Sequence, residues 1–179
     1  MGKCGAGVDM EVEVKFSVEG FEEVEKKLAE TGKFVIEKEE EDLYFNSPWR
    51  DFRKSDEALR IRKDSEGVTL TYKGRKIDKE TKTREEIKLK VEDFDNCRRI
   101  LEKLGFTPVR WVKKRRRIYQ VGEAVVCLDE IDGLGKFVEV EIESEDVEGA
   151  KKKVFEVARS LGLEGESIRK SYLEMLENL

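Results

Sequence analysis

Acidic and basic residues recur along this chain in pairs that lie two positions apart. Glu11 and Glu13 lie in the segment EVEVKF, and Arg60 and Arg62 lie in ALRIR. Because side chains alternate between the two faces of a β-strand, the members of each pair would project to the same side. Paired carboxylates can hold a hard cation such as Mg²⁺ or Mn²⁺, and arginine forks match phosphate oxygens. One interpretation of this spacing is therefore a site for a metal ion and a phosphate compound.

The same alternation appears in three further segments. Lys73 opposes Leu70 and Tyr72 in TLTYKG; the other two segments are REEIKLKV, with its charged positions at 84, 86, 88 and 90, and FVEVEIE, with glutamates at 139, 141 and 143. Five predicted strands thus carry one charged and one apolar face. An open antiparallel sheet would turn the charges to solvent, whereas a closed barrel would turn them into a polar lumen. The periodicity fits both arrangements.

Three amphipathic helices are predicted between these strands, over residues 18–31, 92–104 and 146–161, and each is followed by a glycine that favours termination. The segment SYLEMLENL predicts a short closing helix. The chain also repeats itself at an offset of 73 residues, since the strand and helix before Gly32 resemble those before Gly105. This repeat indicates an internal duplication, with two halves that close one barrel about a pseudo-twofold axis.

Composition narrows the class of protein. The chain has 179 residues, of which 43% are charged, with a formal net charge of −5. This length predicts a single domain, and the acidic balance disfavours a general nucleic-acid or membrane-surface binder. Since there is no histidine, nucleophilic pairs and metal sites that depend on histidine are excluded. The surplus of Glu and Lys is typical of hyperthermophilic proteins.

Cysteine usage and hydropathy predict the cellular location. Cys4, Cys97 and Cys127 show no CxxC spacing, so neither a zinc site nor a disulfide framework is indicated. No apolar run approaches the length that spans a bilayer. We therefore expect a cytoplasmic protein in which residues 1–9 are a flexible leader and residues 10–179 form the domain.

An ordered series of motifs resembles the CYTH superfamily, which is named after class IV adenylate cyclases and thiamine triphosphatases. The series runs EVEVKF (11–16), DLYF (42–45), ALRIR (58–62), TYKG (71–74), TREE (83–86), KKRRRIY (113–119), CLDEIDGLGKFVEVEIE (127–143) and SYLEML (171–176). As a whole the chain looks closest to archaeal proteins grouped with the class IV cyclases. The resemblance implies an α+β fold: a closed eight-stranded antiparallel β-barrel, the triphosphate tunnel, with helices packed outside.

The resemblance also assigns site residues. The metal ligands for one or two Mg²⁺ or Mn²⁺ ions would be Glu11, Glu13, Asp129, Glu139 and Glu141. The phosphate-binding residues would be Arg60, Arg62, Lys73, Arg84, Lys114 and Arg116. In the basic run, Lys114 and Arg116 would face inward and the neighbouring basic residues outward, paired with surface acids.

Lys15 is the candidate catalytic residue, which would orient or deprotonate the attacking nucleophile. Neighbouring basic residues would lower its pKa, while Glu11 and Glu13 would raise it. A simple Lys–Glu ion pair is the competing interpretation.

The expected function is metal-dependent cleavage of a triphosphate, as a triphosphatase acting on a nucleoside, inorganic or thiamine triphosphate. A class IV adenylate cyclase and a non-catalytic module that binds polyphosphate or nucleotides are the alternatives. The expected partner is a small molecule that contains a triphosphate, recognised mainly through its phosphate chain. Neither nucleic acid nor a membrane is expected as a partner, and a homodimer is possible on this interpretation.

Overall fold

The computed structural model describes residues 10–178, so the predicted leader at residues 1–9 lies outside the described residues. Eight strands and five helices follow one another along the chain. They are β1 (Met10–Val18), α1 (Glu22–Thr31), β2 (Lys33–Asn46), α2 (Phe52–Ser55), β3 (Ala58–Asp64), β4 (Gly67–Lys73), β5 (Arg84–Val91), α3 (Phe94–Lys103), β6 (Thr107–Val121), β7 (Ala124–Ile131), β8 (Gly135–Ser144), α4 (Val147–Ser160) and α5 (Tyr172–Glu177).

The three long helices begin later than the sequence pattern predicted. The strand β1 continues to Val18, and a bend separates it from α1. Asp93 and Asp146 precede α3 and α4 as N-caps, and their carboxylates accept hydrogen bonds from the backbone of Asn96 and Gly149 at 2.6 and 3.0 Å. These acids satisfy free backbone N–H groups and so fix the first turn of each helix.

The strands close into an antiparallel barrel in the order β1-β5-β4-β3-β2-β6-β7-β8. This confirms the predicted eight-stranded barrel and excludes the open sheet. Within residues 10–178 the joint between β1 and β5 is short, because Met10 and Glu11 alone of β1 pair across it. Beyond that point the backbone N–H groups of Lys82 and Ile168 donate to the carbonyl oxygens of Glu13 and Lys15, at 2.9 and 2.8 Å. Two loop segments thus complete the wall beside β1.

The strand order supports the predicted duplication. Exchanging β1 with β5, β2 with β6, β3 with β7 and β4 with β8 gives the same ring of neighbouring strands, read in the opposite direction. The pseudo-twofold axis passes between β1 and β5 and between β2 and β6, where equivalent strands pair with each other.

The two halves differ in what covers their outer face. α4 packs across β1 of the first half and β8 of the second, and Val14 and Phe16 of β1 are 0% and 6% exposed. At the offset of 73 their counterparts are Ile87 and Leu89, which are 55% and 59% exposed. The predicted homodimer remains a prediction.

The helix α5 closes one end of the barrel. Tyr172 and Leu176 pack against Tyr44, Ile131 and Phe137, whose side chains occupy the interior at that end. A capping box begins the helix, since the Ser171 hydroxyl accepts from the backbone of Glu174 and the Glu174 carboxylate accepts from the backbone of Ser171. Within residues 10–178 no helix has the length and apolar character that a membrane crossing needs.

Candidate functional site: a charged tunnel inside the barrel

The barrel interior holds a narrow cavity of about 70 Å³, which we call the tunnel. Ten of the twelve predicted site residues line it, and the other two, Lys15 and Asp129, are buried and do not line it. The strand alternation accounts for this convergence, because each charged face turns inward once the sheet closes. The ten are Glu11, Glu13, Arg60, Arg62, Lys73, Arg84, Lys114, Arg116, Glu139 and Glu141.

The lining carries more positive than negative charge. Lys82 and Lys88 join the six predicted basic residues, and Glu86 joins the four predicted glutamates that reach the cavity. The wall therefore holds eight basic and five acidic side chains, a formal surplus of three positive charges. Three buried acids that do not line the cavity, Glu40, Asp42 and Asp129, offset this surplus, so it is confined to the side chains that a bound anion would contact.

Two buried acids behind the lining hold the basic side chains in position. Asp42 accepts two hydrogen bonds from Arg62, at 2.6 and 2.8 Å, and one from Lys114 at 3.0 Å. Glu40 lies 3.1 Å from Arg62 and 3.6 Å from Arg116. Burial alone would raise the pKa of Asp42, but Arg62, Lys114 and Arg60 outweigh it and hold that pKa well below its usual value. The basic array is thus ordered before any ligand binds.

A second support holds Arg116. The guanidinium donates to both carboxylate oxygens of Asp129 at 2.6 Å and to Glu139 at 3.0 Å. Asp129 also accepts a hydrogen bond of 2.7 Å from the Tyr172 hydroxyl. Both carboxylate oxygens of Asp129 are therefore occupied, and the contacts make this residue an anchor for Arg116. Its predicted role as a metal ligand remains a prediction.

Three carboxylates on one side of the tunnel lie close enough to share a cation. Ligand oxygens of Glu11, Glu13 and Glu141 all lie within 4.8 Å of one another. The Glu13 carboxylate has one buried oxygen without a hydrogen-bond partner. Within the described residues Glu141 makes no ion pair or hydrogen bond, and burial together with repulsion from Glu11 and Glu13 raises its pKa to about 7. Like charges held this close, with oxygen donors alone, fit a hard divalent cation such as Mg²⁺ or Mn²⁺.

The other carboxylates suit a metal less well. Glu11, Glu86 and Glu143 also lie within 4.8 Å of one another, but Glu143 is exposed, and Lys88 lies 3.2 Å from Glu86 and 3.8 Å from Glu143. Glu139 lies outside both groups and contacts Arg116. We therefore assign the candidate metal centre to Glu11, Glu13 and Glu141, with Glu139 beside it.

Lys15 is fully buried where β1 meets α5. Its ammonium donates to the Lys170 carbonyl at 2.9 Å and lies 3.8 Å from the centre of the Tyr172 ring. Burial lowers the pKa of Lys15 well below its usual value, and the charge of Lys82 lowers it further, while Glu13 opposes the change. The sequence alone did not show whether the neighbouring charges would raise or lower the pKa of Lys15. In the structure this pKa is lowered.

Sequence reasoning missed Lys82, which belongs to the metal side of the tunnel. Its ammonium donates to Glu13 at 2.7 Å and lies 3.7 Å from Glu139. Burial alone would raise the pKa of Glu13, but Lys82, Lys15 and Lys73 lower it to about 2. The signal was present in KTREE, since Lys82 extends by one step the inward alternation of Arg84 and Glu86.

The remainder of the basic run faces outward, as predicted. Lys113 lies 3.4 Å from Glu41, Arg115 lies 3.4 Å from Glu37, and Arg117 pairs with Glu25. The outward-facing members of the run are thus paired with surface acids.

Comparison with known proteins agrees with this geometry. The family model for the CYTH domain matches residues 9–172. The chain belongs to the CYTH family. Its members therefore provide the context in which this charged barrel is interpreted.

Individual relatives include archaeal proteins. The chain is 42% identical over 171 residues to MJ0240 of Methanocaldococcus jannaschii, whose name gives adenylate cyclase as a provisional activity; the match covers 93% of this chain and 98% of that protein. It is 27% identical to the adenylate cyclase CyaB of Aeromonas hydrophila, over 93% of this chain and 88% of that protein. Among solved structures, the PH1819 protein of Pyrococcus horikoshii matches with a TM-score of 0.85 at 42% identity, over 94% of this chain and 98% of that one.

Proposed function

We propose that this CYTH protein binds a triphosphate in the tunnel together with a divalent metal ion and cleaves it by hydrolysis. The observation that carries the proposal is the meeting, in one cavity, of eight basic side chains with the Glu11, Glu13 and Glu141 group. A triphosphate carries roughly three to four negative charges near neutral pH. The basic side chains of the wall offer hydrogen-bond donors to such an anion, and the carboxylates suit the metal that accompanies it.

The basic side chains would bind and orient the phosphate chain. Phosphoryl transfer asks the protein mainly for positioning and charge stabilisation. Arg62 and Arg116 are held by Asp42 and Asp129 through pairs of hydrogen bonds, so they need little reorganisation when the substrate arrives. A divalent cation held by Glu11, Glu13 and Glu141 would supply Lewis-acid polarisation of a phosphoryl oxygen.

Lys15 is the proposed proton acceptor or orienting group for the nucleophile. A lowered pKa makes the neutral form of an amine, which can accept a proton, easier to reach. In this structure its amino group faces Lys170 and Tyr172, so the role requires the side chain or the closing segment to move toward the tunnel. A structural role at the barrel end is the alternative for this residue.

A class IV adenylate cyclase is the second candidate, because the relative with 42% identity and the CyaB relative are both named for that activity. Hydrolysis brings water to the terminal phosphorus, whereas cyclisation brings the 3′-hydroxyl of ATP to the α-phosphorus and expels pyrophosphate. The metal group and basic array would serve either attack. We favour hydrolysis because every tunnel contact assigned above serves the phosphate chain.

Product analysis tests the proposal. We expect the purified protein to release orthophosphate from inorganic triphosphate and ATP with Mg²⁺ or Mn²⁺, and to lose this activity in EDTA. Diphosphate is expected as the other product from inorganic triphosphate, and ADP from ATP. Formation of cyclic AMP and pyrophosphate from ATP, with inorganic triphosphate left intact, would establish the cyclase instead. Absence of both reactions with either metal would contradict an enzymatic role.

A further inference from the structure

Lys82 places a fixed positive charge among the carboxylates on the metal side of the tunnel. Its side chain is buried, its ammonium donates to Oε2 of Glu13 at 2.7 Å, and the same ammonium lies 3.7 Å from Oε2 of Glu139. Two carboxylates that share one positive group form the arrangement in which a divalent cation could also lie. The lysine therefore occupies the position that a cation between Glu13 and Glu139 would take.

The carboxylate oxygens of Glu13 and Glu139 are divided between different partners. Glu13 turns Oε2 to Lys82, while its Oε1 is buried and has no hydrogen-bond partner among residues 10–178. Glu139 accepts a hydrogen bond from Arg116 on Oε1 at 3.0 Å and turns Oε2 to Lys82. One oxygen of Glu13 is thus left for the candidate metal centre, whereas both oxygens of Glu139 already face cations.

The connection between β4 and β5, residues 74–83, holds Lys82 in this position. The backbone N–H of Lys82 donates to the carbonyl oxygen of Glu13 at 2.9 Å. Thr81 and Thr83, on either side of it, are both 0% exposed, and their hydroxyl oxygens lie 2.6 Å apart in a hydrogen bond. Because the backbone is fixed beside β1, the ammonium faces these carboxylates before any metal ion binds.

Formal charge on this side of the tunnel favours a single metal ion. The four predicted glutamates of the lining carry four negative charges. Lys82 supplies one positive charge, and Lys73, which lies 3.1 Å from Glu11, supplies another. One divalent cation balances the remaining two charges. A second one would add two positive charges without counter-ions to a buried site when no anion is bound, which is costly.

We propose that the Lys82 ammonium takes the place of a second divalent cation, so that the tunnel binds one metal ion. The inference rests on the proposed function, because it assumes the metal centre assigned there, and it adds the residue that sets the number of metal ions. Without the ammonium, Glu13 and Glu139 would offer oxygens to a second cation beside the first. Pairs of metal ions about 3.5–4 Å apart are the arrangement found in two-metal sites.

Counting bound Mn²⁺ tests this proposal without any turnover. Equilibrium dialysis in a buffer free of phosphate compounds would give the number of Mn²⁺ ions bound per chain. Electron paramagnetic resonance would show whether two bound ions are magnetically coupled, as close neighbours are. Lys82→Gln removes the ammonium. Lys113→Gln is the matched control, because it removes one positive charge from the outward face of β6, where Lys113 pairs with Glu41 at 3.4 Å.

We expect one Mn²⁺ per chain, with an uncoupled spectrum, in the wild type and in Lys113→Gln, and two coupled Mn²⁺ ions in Lys82→Gln. Adding Glu139→Gln to Lys82→Gln should return the number to one, because it removes a carboxylate that the second ion needs. Equal numbers in folded Lys82→Gln and Lys113→Gln would overturn the proposal. Two ions in the wild type would also overturn it, and this count decides the matter even if Lys82→Gln does not fold. Absence of Mn²⁺ binding by the wild type would overturn the metal centre of the proposed function itself.

Discussion

Replacing Glu141 with glutamine is expected to lower metal-dependent kcat/KM by about a hundredfold or more while the barrel remains folded. Glu141 contributes one of the three carboxylates that lie within 4.8 Å of one another, and it has no basic partner among residues 10–178. Glutamine keeps the shape and removes the charge that a divalent cation requires. Steady-state phosphate release at limiting Mg²⁺ would measure the loss.

Glu143→Gln is the comparison variant, since Glu143 lies on the same strand and face but is exposed. We expect it to retain activity within about threefold, because surface charge changes have small effects. Loss of activity in Glu143→Gln, with Glu141→Gln still active, would move the metal to the group of Glu11, Glu86 and Glu143. Full activity of Glu141→Gln would remove Glu141 from the site.

Glu141→Gln should also stabilise the metal-free protein. Burial and repulsion raise the pKa of Glu141 from its ordinary value of 4.5 to about 7. Between these values the folded state binds a proton that the unfolded chain has lost, so the free energy of unfolding of the wild type falls as pH rises. We expect denaturant titrations in EDTA to show this fall in the wild type and a smaller one in Glu141→Gln. Added Mg²⁺ should restore the stability of the wild type alone.

Replacing Asp42 with asparagine should destabilise the protein by about 3–5 kcal/mol, because it leaves buried cations without their counter-ion. Asp42 is 0% exposed and contacts Arg62 and Lys114. Glu41→Gln is the matched control. Glu41 directly precedes Asp42 on β2, faces outward and pairs with Lys63 at 3.1 Å. A partly exposed pair of this kind contributes about 1 kcal/mol or less.

Urea unfolding of both variants measures the difference. Saturating inorganic triphosphate should restore part of the stability of Asp42→Asn, because the bound anion neutralises the same cations. Equal stability of the two variants would contradict the role of Asp42 as the support of the basic array.

Strand alternation predicted which charged side chains share one face of a strand, and the family resemblance selected those expected in the tunnel. Arg60, Arg62, Glu139 and Glu141 have apolar neighbours in the sequence, so each strand has two distinguishable faces. Closure of the barrel came from the family resemblance, because periodicity alone also allowed an open sheet. Glu40 and Asp42 were missed, since four consecutive acids in EEED hide the alternation of β2.

The ends of the barrel were harder to predict than its walls. The surroundings of Lys15 depend on α5, which returns to β1 from more than 150 positions further along the chain. A second cavity of about 230 Å³ beside the tunnel combines α2, the end of β2 and α5, and its apolar residues resemble ordinary core residues in the sequence. Local periodicity carries no information about such contacts between distant segments.

Competition binding with inorganic triphosphate, diphosphate, monophosphate and adenosine tests the central claim most directly, which is that the tunnel recognises a phosphate chain with its metal. The measurement uses a fluorescent ATP analogue, excess Mg²⁺ and fixed ionic strength. We predict that triphosphate displaces the analogue most effectively, that diphosphate is weaker and monophosphate weaker still, because each lost phosphate removes charge-assisted hydrogen bonds. Displacement by adenosine as effective as displacement by triphosphate would contradict the account.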